Sequence, residues 1–230
     1  MKLNTNSNVY TIVYASVTVI VVAFLLAFVS LALHETQQKN IDNDKRSQIL
    51  AAIGQRGIAS DQVEAAFDKA VLCQLVLNAK GDSVGNDAFS IENKAITDDN
   101  LPLYICQTGT DTLYVIPLTG RGLWGGLWGY ISLKSDFQTV AGAHFSHESE
   151  TAGLGARIVE EDFQNKFVGK KAFADTDFSE VVLSVTKKVE NPASDVDAIT
   201  GATLTSNGVH NMLRDCIARY QQHFKAHTIK

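Results

Sequence analysis

The chain has 230 residues, enough for one or two domains with a buried core. Its formal net charge of −5 gives no basic surface for nucleic acid. The three cysteines, Cys73, Cys106 and Cys216, are too few for a disulfide scaffold and have no metal-type spacing.

Val9 to Leu33 carries no charged residue and is dominated by Val, Ile, Leu, Ala and Phe. About 25 such residues make roughly 37 Å of helix, enough to cross a ~30 Å hydrocarbon core with some tilt. A cleavable signal peptide would have a shorter apolar region ending in small residues. Here the run leads instead into Leu31-Ala32-Leu33-His34-Glu35, so a retained anchor is the better reading. Lys2 lies on one side of the span, and Lys39, Lys45 and Arg46 on the other. Counted plainly, the positive-inside rule does not favour export of the large domain.

Residues 36–44 are polar and read as a connector. Ser47 to Ile53 reads as a helix with Ile49, Leu50 and Ile53 on one face, ended by Gly54 and Gly57. Asp61 is placed to cap a second short helix that reaches Lys69. Val71–Leu77, Leu103–Gln107, Leu113–Leu118 and Leu127–Leu133 read as strands. The last three are closely spaced, which favours antiparallel pairing. Gly120-Arg121-Gly122-Leu123-Trp124 lies between the third and fourth of these strands. Trp128, inside the strand, reads as core. Trp124 suits either a tight corner or the wall of a pocket for a planar ring, since aromatic stacking adds about 0.5–1.5 kcal/mol to area burial.

His147 and Glu150 are too small a set for a metal site, and Glu150 is placed to cap the next helix. That helix is expected over Ala156–Phe167, and another strand over Phe178–Val189. The final helix runs from about Thr205 to Phe224. Val209, Met212, Leu213, Cys216, Ile217, Tyr220 and Phe224 recur on it at three- and four-residue steps. Its start is crowded with Thr203, Thr205 and Ser206. Hydroxyls there can cap the helix, and the exposed N–H groups and positive dipole end also suit a phosphate. Gly201 and Ala202 are small enough for close approach by a bulky group.

Three segments carry a family resemblance. Asp197-Ala198-Ile199-Thr200-Gly201-Ala202-Thr203 resembles the Asp-x-x-(Ser/Thr)-Gly-Ala-Thr flavin-attachment motif of FMN-binding domains. At ordinary residue usage, a chance match in such a chain is rarer than about one in a thousand. Gly120–Trp124 resembles the Gly-(Lys/Arg)-Gly-Leu-Trp loop of the C subunits of sodium-translocating NADH:quinone reductases. His147–Gly155 resembles the His-x-Glu-Thr-Pro-Gly-Leu-Gly loop of the same C subunits, with one residue inserted after His147 and Ala152 in place of Pro.

The resemblance implies an α+β fold: a mainly antiparallel sheet with flanking helices, behind one membrane anchor. Residues 1–35, with a transmembrane helix at about 9–33, would precede an extracytoplasmic FMN-binding domain at 36–230. FMN would be joined to Thr203 by a phosphoester, attached by a flavin transferase that reads Asp197, Thr200, Gly201, Ala202 and Thr203. Gly122, Leu123, Trp124, Glu150, Thr151, Gly153, Leu154, Gly155, Thr205 and Ser206 would surround the cofactor, with Trp124 and Leu154 against the ring and the Thr205 and Ser206 N–H groups on the phosphate. The protein would pass electrons to and from other subunits of a sodium-pumping complex on the outer face of the bacterial inner membrane. Two alternatives share parts of the pattern: the G subunit of an RNF-type complex, and a membrane-tethered binding module in which the motif is only a helix cap. A flavoenzyme with its own substrate is disfavoured by the lack of a nucleotide-binding glycine fingerprint or a catalytic triad.

Overall fold

No Gly or Pro interrupts residues 8–52, and they form one continuous helix, α1 (Asn8–Ala52). The computed structural model describes residues 7–227, so Lys2 of the charge argument lies outside them. The polar stretch 36–44, expected as a connector, is helical as well. Gly54 (φ +86°) and Gly57 (φ +69°) take left-handed conformations just past the end of α1, where a residue with a side chain would be strained. By length and composition α1 is able to span a bilayer, with a mean hydropathy of 2.8 in its most apolar stretch. The chain divides into two compact units, residues 1–44 and 45–230.

Within the second unit, α2 (Val63–Ala70) starts after Gln62, and Asp61 does not cap it. It leads into β1 (Val71–Leu77), β2 (Ser83–Gly85), β3 (Leu101–Thr108), β4 (Asp111–Arg121), β5 (Gly126–Leu133) and β6 (Val140–His147). These form one antiparallel sheet in the order β2-β1-β3-β4-β5-β6. The β3–β4 connection is a two-residue hairpin with Gly109 at φ +61°.

The sheet is covered on both faces. Ile116, Leu118, Leu127 and Ile131 face one core, and Tyr104, Val115 and Tyr130 face the other. Ile49, Leu50, Val63 and Phe67 complete the second core.

After β6 the expected helix over Ala156–Phe167 is broken into pieces. A 3-10 turn at Gly155–Val159 is followed by α3 (Glu161–Gln164) and a second 3-10 turn at Asn165–Phe167. Ile158, Phe163 and Phe167 are buried, but Val159 is exposed. The expected strand over Phe178–Val189 shrinks to β7 (Ser184–Thr186), and Phe178, at φ +52°, lies outside strand geometry. β7 pairs in parallel with β8 (Asp195–Asp197). The final helix is divided into α4 (Thr203–Ala218) and α5 (Gln221–His227). The apolar stripe survives the division, since Val209, Met212, Leu213, Cys216, Ile217, Tyr220 and Phe224 are all buried. Bonds from Cys216 in α4 and from Tyr220 just beyond it reach the sheet. Cys216 Sγ accepts the Thr119 N–H at 3.3 Å, and Tyr220 Oη donates to the Pro102 carbonyl at 2.7 Å.

Candidate functional site

The site is built where β8 turns into α4. Asp195 fixes the approach: its Oδ2 accepts the N–H groups of Glu190 and Asn191 at 2.9 and 2.8 Å, and its Oδ1 accepts the Ser184 hydroxyl at 2.7 Å. The Asn191 N–H, the Ser184 hydroxyl and the Glu190 N–H outweigh burial and hold the Asp195 carboxyl below the usual carboxylate range. Two residues on, Asp197 is exposed and pairs with Lys166 at 3.8 Å. Ile199 is buried, and its N–H donates to Ser206 Oγ at 3.2 Å. Gly201, at φ +82°, then reverses the chain into the helix, and Ala202 is the residue before the first turn.

Thr203 is therefore the first residue of α4, and no side chain caps the helix. The plain capping role for Thr203, Thr205 and Ser206 is not what the structure contains. Ser206 N–H is already committed to the Ala202 carbonyl at 2.9 Å, and its hydroxyl sits behind the turn on Ile199. Ser206 thus offers no backbone donor to a ligand. Helix geometry leaves the N–H groups of Thr203, Leu204 and Thr205 without intrahelical acceptors.

Beside this helix start lies an open cavity of about 180 Å³. Leu123, Glu150, Thr151, Leu154, Gly155, Gly201, Ala202, Thr203, Leu204 and Thr205 line it. Leu123, Leu154 and Leu204 are exposed apolar side chains, and Trp124 beside them is 65% exposed. The wall contains one carboxylate and no Lys or Arg. A larger cavity of about 620 Å³, lined by Gln55, Lys69, Gln107 and Thr108 among others, contains none of the motif residues.

Glu150 does not cap the following helix. It is buried, and its Oε1 accepts the Trp124 N–H at 2.9 Å while its Oε2 accepts the Thr205 hydroxyl at 2.5 Å. Burial opposes its charge, but the Thr205 hydroxyl and the N–H groups of Trp124, Gly125 and Leu123 prevail and hold its pKa below the usual value. His147 Nδ1 accepts the Glu150 N–H at 3.2 Å and so closes the turn that presents the carboxylate. Ser149 Oγ donates to the Trp124 carbonyl at 3.1 Å, and Glu148 Oε2 accepts the Gly126 N–H at 3.1 Å.

Of the sequence candidates, Gly122, Trp124, Gly153, Asp197, Thr200 and Ser206 lie off the cavity wall. Gly122 backs onto Glu150, where an added Cβ would strike Oε1. Gly153, at φ +75°, bends the loop, and Thr200 is exposed on the turn. Leu204 is the lining residue that sequence reasoning missed. The available signal was an apolar residue off the buried stripe of α4.

Known proteins share both the fold and the segment that builds this cavity. The family described as "FMN-binding domain" matches residues 122–218. The C subunit of the Na(+)-translocating NADH-quinone reductase of Pseudomonas aeruginosa is 31% identical, covering 91% of this chain and 91% of its own length. Its counterpart in Haemophilus ducreyi is 29% identical, covering 93% and 91%. Among solved structures, the C subunit of the Na(+)-translocating NADH-quinone reductase from Parabacteroides distasonis superposes with a TM-score of 0.80 at 38% identity, over 85% of this chain and 98% of that one. NqrC of Shewanella oneidensis gives a TM-score of 0.68 at 20% identity, over 81% of this chain and 97% of that one, a likeness of fold.

Proposed function

This chain belongs to the family of Na(+)-translocating NADH-quinone reductase C subunits, and on that premise we propose that it is a membrane-anchored electron carrier holding FMN covalently on Thr203. The observation that carries the reading is the position of Thr203: first residue of α4, on the wall of a cavity without a cation.

The residues present fit the group. The N–H groups of Thr203, Leu204 and Thr205 suit phosphate oxygens, and the exposed Leu123, Leu154, Leu204 and Trp124 suit a planar apolar ring. They do not suit tight reversible binding. A helix dipole contributes about 0.3–1 kcal/mol to an anion, and no Lys or Arg adds to it here. The cavity is also below the ~300–1,000 Å³ usual for pockets that enclose a ligand. A phosphoester supplies the retention that such a shallow site lacks.

When bound, FMN supplies the electron-accepting and electron-donating chemistry. The protein's residues do the rest. The start of α4 fixes the phosphate end, the Leu and Trp side chains remove water from the ring, and Glu150 holds their loops together. Residues 9–33 are read as the transmembrane segment and residues 36–230 as an extracytoplasmic domain on the periplasmic side. Asp197, Thr200 and Gly201 are exposed on the turn, as recognition by a flavin transferase requires. The electron donors and acceptors are other subunits of the reductase, and sodium transport is a property of that assembly.

The test is co-expression with the transferase, followed by denaturing electrophoresis under ultraviolet light. A fluorescent band in the wild type that is lost in Thr203→Ala supports the reading. A band that persists in Thr203→Ala, or its absence from the wild type, counts against it.

A further inference from the structure

We propose that Glu150 is a positioning residue, tying together the three segments that form the cavity and biasing the redox group held there against reduction. The second half rests on the reading of Thr203 given above; the first does not.

Glu150 is the one buried carboxylate among the described residues, at 7% exposure. It forms no ion pair with any of them. Every donor it uses is neutral: the Thr205 hydroxyl, the Trp124 N–H and the neighbouring N–H groups of the 123–125 loop. A buried charge without a counterion is costly, and it survives only when fixed dipoles replace the lost water.

Those dipoles come from two segments distant in sequence, and Glu150 itself brings the third. The 122–125 loop wraps one carboxylate oxygen, and the first turn of α4 holds the other. The glycines show how closely the chain is fitted to this anion. A Cβ on Gly122 would strike Oε1, and one on Gly155 would strike both Oε2 and Thr205 Oγ1. Glu150 thus fills the N–H cradle of the loop from within, as an external anion would fill a nest. The N–H groups at the start of α4 remain available to a ligand.

The consequence is electrostatic. An electron added to a group in this cavity meets a fixed negative charge on a wall that carries no Lys or Arg. In a partly dehydrated site that repulsion is screened less than in water. Glu150 therefore lowers the midpoint potential of the bound group.

Glu150→Gln separates the two roles. The amide is nearly isosteric, so its oxygen keeps the Trp124 N–H bond and its NH2 donates to Thr205 Oγ1, while the charge is gone. Glu150→Ala removes both.

Amide exchange is measured on the full-length chain in detergent, made without the transferase. Residues 123–125 should be protected in the wild type and in Glu150→Gln, and should exchange about tenfold faster or more in Glu150→Ala. Equal exchange in wild type and Glu150→Ala overturns the tie. Potentiometric titration is then run on the flavin-loaded chains. Glu150→Gln should shift the midpoint upward, and by more than Glu150→Asp, which keeps the charge. An unshifted Glu150→Gln overturns the electrostatic role, because a residue that merely holds the loops would leave the potential unmoved in this variant. A wild-type chain without flavin would count against the reading of Thr203, and the exchange measurement would still decide the tie.

Discussion

The Thr205 hydroxyl donates to the Glu150 carboxylate at 2.5 Å, joining two residues 55 positions apart in the sequence. Through this bond the first turn of α4 is registered against the loop that follows β6. Trp124 joins the same carboxylate through its backbone N–H.

Thr205→Val keeps the shape and removes the donor. It leaves a buried carboxylate short of one partner, and hydrogen bonds to charged groups are worth about 1.5–3 kcal/mol. Urea unfolding of the detergent-solubilised chain should show a loss of that order. An unchanged midpoint would mean that Glu150 is satisfied without Thr205.

Gly208 sits inside α4, where helix propensity alone favours alanine by about 1 kcal/mol. The structure predicts the opposite sign. A Cβ there would lie 2.5 Å from the Arg121 carbonyl oxygen and 3.1 Å from Leu127 Cδ1, both on the sheet side of the helix. Gly208→Ala should destabilise by about 1–3 kcal/mol, the usual cost of overpacking. A stabilised variant would show that α4 moves freely off β4.

Trp124 is 65% exposed, so Trp124→Ala should change unfolding stability by no more than about 0.5 kcal/mol. Its effect belongs to the cofactor: flavin fluorescence and midpoint potential should both change in the loaded chain. If neither does, the ring lies elsewhere.

Asp195 carries the acid dependence of the β7–β8 corner. The Asn191 N–H, the Ser184 hydroxyl and the Glu190 N–H lower its folded-state pKa despite partial burial. A depressed pKa means that its contribution is complete above the unfolded value of about 3.9 and is lost as pH falls through the folded value. Stability should therefore fall more steeply below pH ~4 in the wild type than in Asp195→Asn. Parallel acid limbs in the two proteins would remove this role from Asp195.

Much of this was legible in the sequence, for identifiable reasons. Val71–Leu77 and Leu127–Leu133 are apolar runs bounded by turn residues, and both are strands in the structure. The stripe from Val209 to Phe224 keeps a single buried face even though the backbone breaks after Ala218. That break leaves no periodic trace, because Tyr220 and Phe224 remain buried beyond it. β6 was missed because Val140-Ala141-Gly142-Ala143-His144 is small-residue chain with little β signature. Gly142 is required there, since an added Cβ would strike the Ala52 carbonyl oxygen. The attachment motif singles out Thr203, and the structure sets that residue at the start of α4. Glu150 was legible as a residue of the site but not in its role. Its partners, Trp124 and Thr205, are separated from it by long stretches that only the fold closes.

The most direct test of Thr203 as the flavin carrier is intact-mass analysis with peptide mapping of the full-length chain co-expressed with the flavin transferase. The expected result is an added mass of FMN less one water, localised to Thr203 and absent from Thr203→Ala. An unmodified chain, with the transferase shown to be active on a control substrate, would contradict the carrier role and leave the turn at Thr203 as an uncapped helix start with no cofactor to hold.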